Sequence, residues 1–208
     1  MATKKTAAAT TETITPKRLA PRKVLVTIKG TSPLIMSRWT EKAKTEMRDK
    51  QAKKARGPRE AKDTEREWQD RRLLDDKGRD CILAVCVKKA IVSSASFQED
   101  LTKVLLRGAV FVLDELIPIE SKPPTCREDP VRVFGGTADL RYRPEYRDWR
   151  LTFTIAYDSS ILSREQLMDM ISRAGFSNGL GEWRPQKDGD YGRFEIEEAI
   201  DIDEAKSA

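Results

Sequence analysis

Apolar and polar residues alternate over residues 23–29, placing Val24, Val26 and Ile28 on one face. A period of two predicts a first strand, ended by Gly30, Ser32 and Pro33. A short apolar segment, Leu34-Ile35-Met36, follows. Over residues 40–72 almost every position is charged, with Glu/Lys and Glu/Arg pairs at helical spacing. That pattern predicts two solvent-exposed helices separated by Gly57-Pro58. Trp39 and Trp68 are the large aromatics of this stretch; they are expected to anchor it on the core, the other reading being base stacking.

The period then changes. Val87, Ala90, Ile91, Ser94 and Ala95 recur at i, i+3, i+4, i+7 and i+8, which predicts a helix over 83–97 with a buried stripe. Residues 109–119 read as an apolar strand, and 120–147 as an irregular protruding hairpin containing Pro123-Pro124, Pro130, Gly135-Gly136 and Pro144. Strict alternation returns over 149–157, with Trp149, Leu151, Phe153, Ile155 and Tyr157 on one side. Ser163 and Gln166 form a capping box for a helix whose stripe is Leu167, Met170, Ile171 and Ala174 and which Gly175 closes. A last strand is expected over 191–196.

Without the insertions the order is strand, helix, strand, strand, helix, strand. This predicts an α+β, ferredoxin-like (βαββαβ) antiparallel sheet with two helices on one face. The charged helical segment 37–80 is one insertion and the hairpin 120–147 another. Residues 1–22 read as a disordered basic tail, 23–198 as one domain and 199–208 as an acidic tail.

The 208 residues carry a net charge of +5, unevenly spread. Residues 1–30 hold seven basic side chains against one acid, whereas 151–208 hold six against twelve. A basic front points to a polyanionic partner and also permits head-to-tail contact between copies. Histidine is absent, which excludes a Ser-His or Cys-His nucleophile pair and a histidine metal ligand within this chain. Cys81, Cys86 and Cys126 lack CxxC spacing, so neither a disulfide framework nor a zinc site is expected, and no cofactor. No membrane-spanning segment or secretory leader is read, so a cytoplasmic protein without a membrane partner is expected.

Candidate chemistry falls in three places. The dense glycine run Gly179-Leu180-Gly181-Glu182-Trp183-Arg184-Pro185, continued by Gly189-Asp190-Tyr191-Gly192-Arg193-Phe194, can bring amides, guanidiniums and aromatic faces against a polyanion. It equally fits a surface loop with two tight turns. Lys88 and Lys89 lie in the first turns of the helix over 83–97, where phosphate binding and plain surface charge are both open. The hairpin interleaves Arg127, Arg132, Phe134, Arg141, Tyr142, Arg143, Tyr146 and Arg147, suited to phosphate pairing and base stacking unless Glu128, Asp129, Asp139 and Glu145 neutralise those arginines.

These residues favour a non-enzymatic, sequence-tolerant binder of single-stranded RNA or DNA that oligomerises along the strand. Its site would comprise Lys88, Lys89, Arg127, Arg132, Arg141, Tyr142, Arg143, Tyr146, Trp183, Arg184, Tyr191 and Arg193. A structural adaptor that recruits protein partners is the second reading. A carboxylate-metal nuclease using Asp139, Glu182, Asp188 and Asp190 is the third.

The segments Arg127-Glu128-Asp129-Pro130-Val131-Arg132, Thr137-Ala138-Asp139-Leu140-Arg141-Tyr142-Arg143-Pro144 and 179–185 are similar to those of an uncharacterised family found in tailed bacteriophages, over roughly residues 23–198. More distantly, 82–92 and the 179–194 loop resemble the helix-opening segment and C-terminal glycine-rich loop of the RAMP superfamily, which builds the backbone of CRISPR effector complexes. That resemblance implies a ferredoxin-like fold, binding of single-stranded RNA, polymerisation along it and a projecting β-hairpin thumb. The likeness to tailed-phage proteins implies a host-cell cytoplasmic setting in replication, recombination or counter-defence. Leu83 stands where RAMP members often have proline, their usual glycine after lysine is missing, and the lack of histidine rules out likeness to RAMP endonucleases that use one.

Overall fold

The computed structural model describes residue 19 and residues 21–54, 61–98, 101–132, 136 and 138–202. Most of the expected basic tail, the Gly57-Pro58 break, Phe134 and the acidic end from Asp203 lie outside them. In chain order the strands are β1 (Pro21–Gly30), β2 (Leu34–Ile35), β3 (Cys81–Leu83), β4 (Val110–Val112), β5 (Leu116–Pro118), β6 (Thr125–Arg132), β7 (Ala138–Tyr146), β8 (Arg150–Asp158) and β9 (Phe194–Ile202). The helices are α1 (Glu41–Gln51), α2 (Thr64–Gln69), α3 (Ala84–Ser93), α4 (Lys103–Ala109) and α5 (Arg164–Arg173).

The chain is α+β with antiparallel sheets. The main sheet has the order β4-β8-β1-β9, and each neighbouring pair is antiparallel. Val24, Val26 and Ile28 of β1 and Leu151, Phe153 and Ile155 of β8 point into one core, as their alternation requires. Val87, Ala90 and Ile91 of α3 and Leu167, Met170 and Ile171 of α5 close that core. The Ser94 hydroxyl lies 2.6 Å from the Ile91 carbonyl and 3.0 Å from that of Met170, so the two helices meet without an orphaned polar group.

The charged segment and the hairpin form a second packed unit. β2, β7 and β6 make a three-stranded sheet, and α2 lies against its hairpin strands. Trp68 is the anchor expected of it, 8% exposed, with its indole N–H donating to Glu65. Arg72 grips Asp80 with two donors at 2.8 Å, and the Tyr146 hydroxyl donates to the same carboxylate at 2.7 Å. Trp39 departs from expectation: it stands 61% exposed outside any core.

Other boundaries also moved. The strand expected over 109–119 is two strands, β4 on β8 and β5 on β3, because Asp114 turns back to accept the Thr154 amide at 3.0 Å. α4, capped by Thr102, was not read from the sequence. The last strand starts at Phe194 and runs to Ile202, since β1 offers a partner along its whole length. Gly175 does not close α5: the helix continues through a wide π turn over 174–178, and Gly179, at φ +65°, ends it. Among the described residues no helix is long and apolar enough to cross a membrane.

Candidate nucleic-acid interface

The glycine loop is a fixed structure built on β2. Its amides donate inward: Leu180 to Gly192 O (2.9 Å), Glu182 to Ile35 O (2.8 Å), Gly192 to Pro33 O (2.8 Å) and Tyr191 to Trp183 O (3.0 Å). Gly181 and Gly192 hold left-handed φ of +73° and +68°, and a methyl group there would sit 2.3 Å from Ile35 O or 1.8 Å from Leu180 O. The glycines therefore serve close backbone packing. Those four amides are consumed by the protein's own carbonyls, so the expectation that they face a polyanion is corrected.

What the loop presents outward is side chains. Trp183 is 40% exposed and adopts φ +51°, a conformation costly for a bulky residue and fixed here by the surrounding turn. The Arg184 guanidinium donates to Gly181 O at 2.8 Å. Tyr191 is half-buried beneath the Arg127 guanidinium, 4.6 Å from the ring centroid. Arg193 is half-buried; its amide donates to Ser32 Oγ, and its Nε is buried without a partner.

The two lysines of α3 part company. Lys88 donates to the Arg107 carbonyl at 3.0 Å and lies 4.1 Å over the Phe111 ring, committed to the β4 side of the molecule. Lys89 is exposed. Burial pushes the Cys86 thiol up, opposed by the positive charges of Lys89 and Arg184. At the loop's base the buried Asn178 amide donates to Ala90 O at 2.8 Å, tying loop to α3.

On the hairpin, the acids do neutralise most of the arginines. Arg127 pairs with Asp129 and Glu145, each at 2.8 Å. Burial works against its charge, yet hydrogen bonds to Glu145, Asp129 and Tyr191 outweigh this and raise its pKa. Arg143 pairs with Asp129 at 3.0 Å, and Arg141 lies 3.4 Å from Asp139. Tyr142 and Tyr146 are buried, 9% and 1% exposed. Burial and the Asp80 hydrogen bond raise the Tyr146 pKa. Neither tyrosine presents a face for stacking, which corrects that part of the expectation: β7 turns both rings toward packed neighbours. Arg132, at the end of β6, is exposed.

The loop thus touches both other segments, the hairpin through Arg127–Tyr191 and α3 through Asn178. It leaves Lys89, Arg132 and Trp183 as the exposed candidates, with Arg184 and Arg141 partly exposed. Lys187, exposed beside the loop, was missed because a lone lysine after a proline turn gives no pattern. Among the described residues, no group of three or more Cys, Asp or Glu side chains is placed to hold a metal ion; Asp139 instead pairs with Lys62 and Arg141.

The sequence matches no protein-family model and no curated protein. In solved structures the chain is similar to a chain of the type III-B Cmr-beta complex bound to cognate target RNA, seen by cryo-EM, with a TM-score of 0.57 and 13% identity over 88% of this chain. The match spans 61% of that chain's length. It is also similar to Cmr6 from Pyrococcus furiosus, at a TM-score of 0.43 and 11% identity over 86% of this chain and 100% of the other. The first likeness is one of fold.

Proposed function

We propose that this protein binds single-stranded nucleic acid without cleaving it and oligomerises along the strand. The four-stranded order β4-β8-β1-β9 with α3 and α5 on one face supports a ferredoxin-like reading, with residues 37–80 and 120–147 as insertions. The observation that carries the functional reading is the glycine loop joined to both the hairpin and α3. It holds Trp183 exposed next to Arg184 in the chain, and its base is tied to α3, which carries the exposed Lys89. A half-exposed indole next to an arginine suits a base stacked beside a phosphate track. The Cmr-beta neighbour is bound to target RNA, which supports RNA as the first ligand to try. The resemblance to tailed-phage proteins supports a role inside an infected cell.

The test is gel filtration of the full chain with and without a long single-stranded oligonucleotide, alongside titration of a labelled 20-mer at rising salt. A large nucleoprotein species and an affinity falling with salt are expected. An unchanged elution peak, or an affinity indifferent to salt, overturns the reading.

One observation favours the adaptor reading. Phe97 and Phe176 are 51% and 71% exposed near Arg173, and Val104 on α4 is 75% exposed. Co-purification of one defined protein, without nucleic acid and dependent on Phe176, would move the assignment there.

A further inference from the structure

α1 is a helix without a core. None of its residues is buried. An isolated helix of this length is marginal in water, and most helices in proteins owe their stability to a packed face. Here support comes from the ends. The Thr40 hydroxyl accepts the Ala43 amide at 3.2 Å, Glu41 pairs with Lys44 at 2.6 Å, and Arg48 and Lys50 complement the C-terminal dipole.

The root of the helix is fixed. The Arg38 amide donates to Arg71 O at 3.2 Å, and Arg71 donates to Ser37 Oγ at 3.0 Å, so the backbone just before Trp39 is pinned to the segment that follows α2. From this root Trp39 projects, 61% exposed, and Met47 is 47% exposed on the helix itself. Residues 38–54 hold seven basic side chains against three acidic ones. The acids Glu41 and Asp49 are already matched by Lys44 and Lys54. Arg48, Lys50 and Lys53 have no ion-pair partner among the described residues.

We propose that α1 with Trp39 is a second contact surface for the same single-stranded polyanion. Arg48, Lys50 and Lys53 sit on phosphates, and the Trp39 indole stacks on a base. This rests on the nucleic-acid reading above and adds a surface distinct from the glycine loop. Charge complementarity selects the occupant: a surplus of four positive charges around an exposed indole suits a flexible polyanion, whereas a basic protein surface would meet repulsion and a neutral one would gain nothing from those charges. The arrangement also accounts for a costly large aromatic left in water at the foot of a helix none of whose residues is buried.

The experiment compares the full chain with Trp39→Ala and with the triple variant Arg48→Gln/Lys50→Gln/Lys53→Gln, by titration of a labelled 20-mer of single-stranded RNA or DNA at several salt concentrations. No α1 side chain is buried, so the melting temperature should match the parent in both variants; Trp39→Ala leaves the helix ends intact and should keep the parental circular dichroism, and the spectrum of the triple variant checks that α1 survives the loss of two cations from its last turn. Trp39→Ala should weaken binding roughly 5- to 150-fold. The triple variant should flatten the slope of log affinity against log salt by about 2. If both variants bind with parental affinity and slope, the inference is wrong while the binding reading stands. Loss of self-association or of a protein contact, with oligonucleotide binding intact, likewise overturns it. If the parent binds no oligonucleotide at all, both fall together.

Discussion

Gly192 shows how little freedom the loop has. With φ +68° and Leu180 O where a Cβ would sit, Gly192→Ala combines backbone strain with a clash against main chain. A loss of about 2–5 kcal/mol is expected in urea denaturation, with altered Trp183 fluorescence. Glu145 gives the complementary electrostatic case. Burial favours its neutral form, yet Arg127 and Arg147 hold its pKa below the ordinary 4.5. A depressed folded-state pKa means the stabilisation is present above about pH 4.5 and is lost as pH falls through the folded value. Urea midpoints from pH 7 to pH 3 should drop on the acid side in the parent. Glu145→Gln should be less stable at pH 7 and show a shallower acid loss. Parallel curves would refute this pairing. Gly192 did not announce its role in the sequence, where a glycine reads as a turn, whereas Glu145 stands among the acids that the sequence sets against the hairpin arginines.

Among elements, the charged segment and the hairpin pack as one unit although they enter the chain separately. Trp68 sits where α2 meets β6 and β7, and Lys62 reaches Asp139 and the Leu140 carbonyl. Trp68→Ala should therefore loosen this unit before the main sheet. Hydrogen exchange should speed up at amides of β6 and β7, while those shared by β1 and β8 keep their protection. Uniform acceleration everywhere would mean that the two units unfold together. The periodicity of β1, β8 and α5 was legible because each repeats locally over a few residues. The split between β4 and β5 was not, since it depends on Asp114 meeting an amide 40 residues away.

At the scale of the molecule, few of the hairpin's and loop's candidate cations remain available. Arg127 and Arg143 are paired, and Lys88 is committed to Phe111 and the Arg107 carbonyl. If the loop surface binds phosphates, Lys89→Gln with Arg184→Gln should lower the salt slope by about 1.4 and leave the melting temperature close to that of the parent. An unchanged slope would remove this surface and leave α1 as the place to look.

The amino-acid sequence by itself determined the alternating strands, the striped helices, the Ser163–Gln166 cap and the segregation of charge, because each is written in neighbours a few residues apart. Tertiary structure alone decided which tryptophan became an anchor and which was left in water, which arginines were cancelled, and where the loop's amides point. Those outcomes depend on partners far along the chain, such as Asp80 for Tyr146, 66 residues away, or Ile35 for the Glu182 amide. A donor's partner is fixed by where the folded backbone brings an acceptor, and no local pattern of residues records that distance.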